Sequence, residues 1–370
     1  AKAKLLYLDI ALPQRGSEGI AKQLGTVFKA MTDKSLKLPA FSVTSTLPSV
    51  MNGGKDFCGW SKTDDLLYIT MKPLLEAVLG KDGFALADCA LCESKFEKGE
   101  DVSHQMLDLV ARMGEIQRKG TPDLEFAVLG LLARTQIMQG KADAALQTLD
   151  ALRTRFVETG QTRFLPNLDA MRCRIWLRTG QKEETANWLR EDAPSSVPTF
   201  RALWRYRYIT KAMVQMANGA PDEALLTTAP LLPYCERCGR TMDTLVLRLI
   251  LAICHYRQKD AAWKAELTTA LDTAHEYSFI TPIAQFGAAV LPLMQEAKSA
   301  GFAWQTDPPY YEKLLLAVRE QAVNYSGFLR PETEQLPEPL SPMETQVLKL
   351  VCAHRSNQEI ADMMGTKLAT

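Results

Sequence analysis

Phe96-Glu-Lys-Gly99, Ile137-Met-Gln-Gly140, Leu177-Arg-Thr-Gly180, Met216-Ala-Asn-Gly219 and Tyr256-Arg-Gln-Lys259 follow one another at intervals of 41, 40, 39 and 40 residues. Each closes an apolar-periodic stretch. Four of the five end in Gly, which takes the left-handed turn that stops a helix; Lys259 departs from the pattern. Ala145 and Ala224 lie five residues beyond Gly140 and Gly219, and Ala186 lies six beyond Gly180. Small side chains there let two antiparallel helices approach near their shared turn. Thr121-Pro122 and Thr281-Pro282 each place an N-cap hydroxyl before a Pro at the first helical position. Only short scraps of β-branched alternation compete with the helical reading.

A single helix pair cannot bury its apolar face, so neighbouring pairs stack and share a continuous seam. Helices over 121–139, 162–179 and 199–218 form one layer, and shorter ones over 142–159 and 221–235 form the other. Gly-x-x-x-x-Ala at the pair turn resembles tetratricopeptide repeats, at a period nearer 40 than their usual ~34. The expected fold is therefore all-α: a right-handed solenoid of tetratricopeptide-like helix pairs followed by a partial helix-turn-helix. An irregular helical bundle is the alternative.

The chain divides into a lead-in (1–60), the repeat domain (61–327), a linker (328–339) and a C-terminal unit (340–370). In the lead-in, a helix over 17–31 sets Ile20, Ala21, Leu24, Val27, Phe28 and Met31 on one face, and Pro39, Pro48 and Asn52-Gly53-Gly54 mark turns. Pro331, Pro337 and Pro339 among acidic residues mark the linker.

Forty-three Lys and Arg balance forty-three Asp and Glu, so total charge points to neither nucleic acid nor membrane. Apolar residues at 46% and charged ones at 23% fit a soluble globular chain. No run reaches the ~18 apolar residues of a membrane helix; the richest, 245–256, carries Arg248. Asp9 interrupts any signal-peptide core. Eight Cys are too few for a disulfide framework, which points to a reducing cytoplasm.

Leu340-Ser-Pro-Met-Glu344 combines a capping Ser341, Pro342 at the first helical position and Glu344 to complete a capping box. Val347, Leu350 and Val351 then share a face. A second box, Ser356-Asn-Gln-Glu359, precedes Ile360, Ala361 and Met364, and Gly365 stops the helix. This is the layout of a helix-turn-helix. The stretch from Leu340 to Thr370 resembles the LuxR-type DNA-binding domain: Leu-Ser-x-x-Glu, a Val-Leu pair, Ser-Asn-x-Glu-Ile-Ala, and a Thr where the recognition helix opens. The resemblance implies DNA-contacting roles for Ser356, Asn357, Lys367 and Thr370. With only residues 367–370 of the third helix present, the chain as it stands is expected not to bind DNA specifically.

A helical-repeat region joined to such an end resembles the large MalT-like regulators, which carry a nucleotide-binding oligomerisation module, a repeat sensor arm and a C-terminal helix-turn-helix. The resemblance implies a cytoplasmic signal-sensing or oligomerisation arm of a transcription regulator, with effector binding coupled to transcription control. It implies DNA as a partner of the full-length protein, an unidentified small-molecule or protein effector, self-association and no membrane. No G-x-x-x-x-G-K-[ST] occurs, so ATP is expected only in a further N-terminal module and no cofactor here. A tetratricopeptide-like protein–protein scaffold without a small effector, its groove holding an acidic segment, is the alternative.

Between Arg153 and Arg178 six Arg (153, 155, 163, 172, 174, 178) face only Glu158 and Asp169, and Arg201 to Lys211 hold four bases and no acid. Trp176, Trp204, Tyr206 and Tyr208 interleave. The two stretches lie one repeat apart, so a solenoid sets them side by side. A basic, aromatic groove suits an anionic or sugar-like effector, and Arg163, Asn167, Arg172, Arg174, Trp204, Arg205 and Tyr208 are its candidate residues. Phe164, Leu168, Met171 and Ile175 form the core stripe. The bland reading is solvated Arg on outer faces with aromatics in the core.

Cys89-Ala-Leu-Cys92 and Cys235-Glu-Arg-Cys238 are 143 residues apart. Repeats that touch only their neighbours would not bring the two pairs to one shared ion; Cys235-Cys238, before Gly239 near a helix end, is the better metal or redox candidate, but no His lies close by and no metal ligand is assigned. Four His (104, 255, 275, 354) lack a nearby nucleophile, and neither H-E-x-x-H nor G-x-S-x-G occurs. The chain is not expected to be an enzyme.

Overall fold

A computed structural model describes residues 2–12, 19–30, 42–195, 201–300, 306–325, 341–352 and 355–366. Its helices, in chain order, are α1 (Lys2–Ala11), α2 (Ile20–Ala30), α3 (Asp64–Leu79), α4 (Leu86–Glu97), α5 (Ser103–Ala111), α6 (Met113–Lys119) and α7 (Pro122–Met138). Next come α8 (Ala142–Glu158), α9 (Leu165–Thr179), α10 (Lys182–Glu191), α11 (Arg205–Ala217), α12 (Pro221–Thr228), α13 (Leu231–Arg237) and α14 (Thr241–Arg257). The remainder are α15 (Trp263–Tyr277), α16 (Thr281–Ala284), α17 (Leu291–Ser299), α18 (Pro308–Asn324), α19 (Pro342–Cys352) and α20 (Asn357–Met364). Among the described residues the one β feature is an isolated bridge between Asn52 and Asp56, and no helix is long and apolar enough to cross a membrane.

The forty-residue rhythm is a rhythm of left-handed stops. Gly99, Gly140, Gly180 and Gly219 have φ of +65°, +79°, +77° and +77°, and Lys259 adopts +58° without being glycine. That costs roughly 1 kcal/mol, so the turn is imposed there by packing. Hairpins α7/α8, α9/α10, α11/α12 and α14/α15 stack through α8 on α9, α9 on α11 and α11 on α14. At one of these seams Phe156 stacks on Phe164 at 4.8 Å, and Phe126 meets both edge-on at 6.0 and 5.7 Å. The fold is a solenoid of tetratricopeptide-like helix pairs.

Three details depart from expectation. Residues 221–235 form two helices, because Pro230 lacks the N–H that would continue α12. Helix α11 begins at Arg205 after a single tight turn over Ala202–Trp204. In the lead-in, α1 was not anticipated. It buries Tyr7 and Ile10 and packs on α2, whose buried stripe is Ile20, Leu24 and Val27, with Ala21 and Phe28 exposed. Met31 and the 328–339 linker lie outside the described residues.

The repeats also touch beyond their neighbours, contrary to expectation, because the superhelix turns tightly enough to return on itself. The Ile280 amide donates to the Glu97 carbonyl at 2.8 Å and the Thr281 hydroxyl to the Phe96 carbonyl at 2.6 Å, joining α16 to α4. Gly99 permits this approach: a Cβ there would lie 3.0 Å from the Ile280 side chain.

Residues 42–57, read as turns of a lead-in, instead run along the inner face of the solenoid. Pro48 packs against Gly130 on α7, where a Cβ would come within 2.8 Å of it. Gly53 is hemmed in by backbone: a Cβ would lie 2.7 Å from both the Ser49 and Val43 carbonyls. Neither neighbour can move without unseating the segment. Gly53→Ala should therefore cost about 1–3 kcal/mol, read as a lower urea midpoint at unchanged m-value; an unshifted midpoint would show that the segment does not sit there.

Candidate effector site

Successive inner helices hand polar side chains to the 42–57 segment. From α4, Glu93 accepts the Val50 and Met51 amides at 2.8 and 3.0 Å. From α7, Asp123 accepts the Ser42 and Thr44 hydroxyls. From α9, Asn167 donates to the Thr46 carbonyl at 2.9 Å. Asp243 on α14 is buried between Arg205 at 2.8 Å and Arg240 at 2.7 Å. Those arginines also donate to carbonyls of residues 52–54, and Asn52 donates to Asp243 at 2.7 Å. Burial alone would raise the Asp243 pKa, but Arg240, Arg205 and the hydrogen bonds outweigh it and hold the carboxyl below its usual range.

This geometry reassigns most of the basic patch. Arg163 pairs with Asp123 at 2.7 Å, Arg155 with Glu125 at 2.5 Å and Arg153 with Asp169 at 3.0 Å. Arg172 pairs with Asp150 at 2.8 Å and with Asp169, its guanidinium over Trp176. Counting charge along one helix misses these acids, several of which come from the preceding pair. Trp204 is half-buried beneath Arg201 and Arg207, and Tyr208 is buried in the core. The seven candidates thus do not converge. Asn167 and Arg205 hold the 42–57 segment, Arg163 and Arg172 tie helices together, and Arg174 alone lines a cavity.

That cavity, with about 60 Å³ of free space and partly open to solvent, lies in the lumen of the superhelix between α4, α7, α9, α11 and the α16 turn. Three arginines line it. Arg134 is bound by Glu93 at 2.9 Å and by Glu97; against the opposing effect of burial, Glu97 and Glu93 raise its pKa. Arg174 donates to the Thr210 hydroxyl at 2.8 Å and the Tyr206 carbonyl at 3.2 Å, and its guanidinium lies 3.8 Å over the Tyr206 ring. Arg178, 7% exposed, donates to the Met138 sulfur at 3.4 Å and to Gln321 on α18. Among the described residues neither Arg174 nor Arg178 has a carboxylate partner, and Arg178 Nε has no hydrogen-bond partner. Burial lowers both pKa values, that of Arg178 to about 10. Arg134 and Arg178 were not among the sequence candidates. The signal for Arg134 was its spacing of one full repeat from Arg174.

The C-terminal helices carry both capping boxes. The Glu344 carboxylate accepts the Ser341 amide at 2.8 Å and that of Glu359 accepts the Ser356 amide at 2.8 Å, while each serine oxygen accepts the N3 amide at 3.3 Å. Helices α19 and α20 pack together, burying Ile360 and Ala361 and half-burying Val347, Leu350 and Met364. Val351, placed on the same face from sequence, is exposed. Ser356 and Asn357 are exposed; Lys367 and Thr370 lie outside the described residues. Cys89, Cys92 and Cys235 are buried, Cys238 is half-buried, and no metal-holding group of His, Cys, Asp and Glu occurs among the described residues.

Residues 108–300 match the family described as the MalT-like TPR region. The chain belongs to that family. It is similar to the HTH-type transcriptional regulator MalT from two strains of Klebsiella pneumoniae, 24% identical to each over 298 residues, covering 75% of this chain and 32% of the relative. The chain spans about a third of the length of these curated relatives. The MalT-like TPR match contains every lumen-lining side chain except Phe96.

In this MalT-like TPR chain, Asp243→Asn would remove the carboxylate that both buried Arg205 and Arg240 pair with, at a cost of about 3–5 kcal/mol measurable by chemical denaturation. The folded-state pKa of Asp243 lies below its unfolded ~3.9. Its contribution is therefore complete above pH ~4 and fades as pH falls through the depressed value. The Asn variant should lack that component of acid unfolding, and an unchanged acid profile would contradict the assignment.

Proposed function

We propose that the chain is the effector-sensing arm of a DNA-binding transcription regulator, with the lumen as the effector site. The observation that carries this reading is a cavity lined by three arginines inside the span matching the MalT-like TPR region. Both curated relatives are named as HTH-type transcriptional regulators, and α19 and α20 have the layout of the first two helices of a helix-turn-helix. The lumen has a physical route outward. Arg178 bonds Gln321, whose amide donates to the Met138 carbonyl at 2.8 Å, and Gln321 sits on α18, the last described helix before α19. An effector that engages Arg178 alters that junction, and differential affinity for the two arrangements shifts their populations.

The scaffold reading has less support, because the inner face where a partner segment would lie is filled by residues 42–57. Gln285, half-buried at the cavity wall, allows a test. In the regulator carrying this chain, Gln285→Trp should obstruct the lumen and cut effector-dependent transcription by about tenfold or more, the equivalent of ~1.4 kcal/mol of lost affinity, with the melting temperature preserved. An undiminished response would place the effector elsewhere.

A further inference from the structure

Resting on the sensing-arm reading, we infer that the lumen binds a small organic carboxylate, its oxyanion between Arg174 and Arg178 and its apolar body against Ile137, Met171 and Ile175. The inference starts from an imbalance. Of the six arginines between 153 and 178, four meet carboxylates on other helices, and the two that do not are the two lining the cavity. A buried guanidinium without a counter-charge is among the costliest groups a fold can hold. Two of them four residues apart share one face of α9 and repel one another.

Each of the two arginines keeps an unused donor. Arg174 uses Nε and Nη2 on Thr210 and Tyr206, leaving Nη1; Arg178 uses Nη1 and Nη2 on Met138 and Gln321, leaving Nε. A planar oxyanion accepting from both gains charge-assisted hydrogen bonds that no side chain supplies. Glu93 and Glu97, the carboxylates nearest the lumen on α4, are committed to Arg134. Arg134 and Arg174 repel each other, which adds to the demand for an anion.

The remaining wall selects the body. Phe96, Ala133, Ile137, Met171 and Ile175 offer no hydrogen bonds from their side chains, and Thr281 spends its hydroxyl on the Phe96 carbonyl; apart from the arginines the polar groups left are Gln285, whose amide donates to the Pro282 carbonyl at 3.0 Å, and Tyr206, whose ring lies beneath Arg174. A sugar would leave most of its hydroxyls unpaired there. The free space is small, about 60 Å³, so only a compact body fits beside the arginines. A short aliphatic or aromatic acid meets both conditions.

The test uses the full chain, calorimetric titration and thermal shift, with benzoate and hexanoate as probes. Benzyl alcohol and hexanol supply the same bodies without charge, and inorganic phosphate supplies charge without a body. At least one carboxylate should bind saturably and raise the melting temperature by a few degrees, well above its matching alcohol and above phosphate. Arg178→Met and Arg174→Gln should each weaken binding about tenfold or more, while Arg153→Gln, on an outer pair, should not. Without ligand, Arg178→Met should melt no lower than the parent, because an apolar side chain replaces an uncompensated charge. If that variant fails to fold, Arg174→Gln carries the test. Absence of carboxylate binding, equal binding of the alcohols or of phosphate, or binding that survives the lumen variants would overturn the inference. A neutral effector binding in the lumen would overturn it too, yet leave the sensing arm standing. The lumen as effector site fails separately if Gln285→Trp leaves transcriptional responses untouched, and the sensing arm itself fails if the regulator responds unchanged with residues 108–300 deleted.

Discussion

Asp243, held between the guanidinium groups of Arg205 and Arg240, is the charge on which the interior of this solenoid is organised. One buried carboxylate cannot use all the donors of two arginines, and the surplus goes to carbonyls of residues 52–54. A buried ion pair is tolerable only when its remaining hydrogen-bonding capacity is met, so the cluster and the 42–57 segment require each other. From that anchor the segment reaches back along α9, α7 and α4, and Asp56 accepts the Met242 amide at 2.9 Å at the start of α14. The inner face is thereby divided: one part is closed by the chain's own backbone, and the lumen stays accessible.

The contrast between the two arginine environments defines the functional surface. Arg205 and Arg240 are buried and satisfied; Arg174 and Arg178 are enclosed by the same architecture with aromatic rings, amides and a thioether for company. Stacking on Tyr206 and Tyr325 softens the cost of burial without neutralising the charge. Since Gln321 links Arg178 to α18, the place where charge is least compensated is also where the lumen touches the C-terminal part of the chain.

What was legible in the sequence was local. Glycine stops forty residues apart, the hydroxyl-Pro helix starts and the two capping boxes are written within a few positions of one another, and α7, α8 and α20 form within a residue or two of where those signals put them, while α9 starts three residues late, after a tight turn over Thr162–Phe164. The core stripe Phe164, Leu168, Met171 and Ile175 is buried as its spacing requires. What was not legible depends on pairs separated by long stretches of chain: Asn52 with Asp243, Gly99 with Ile280, Arg178 with Gln321. The candidate site suffered most, because a run of arginines shows its sign but not its partners. Arg163 and Arg172 look like ligand contacts along the chain, yet Asp123 and Asp150 on neighbouring helices pair with them. Arg134 went unnoticed because it belongs to the site only once α7 lies beside α9.

The measurement that tests this division of the inner face most directly is amide hydrogen exchange at Val50 and Met51. Their N–H groups donate to Glu93 inside the superhelix, so both should exchange only on the slow timescale of the α14 interior, which opens with global unfolding. Exchange at the rate of an unstructured peptide, while α14 stays protected, would contradict the account.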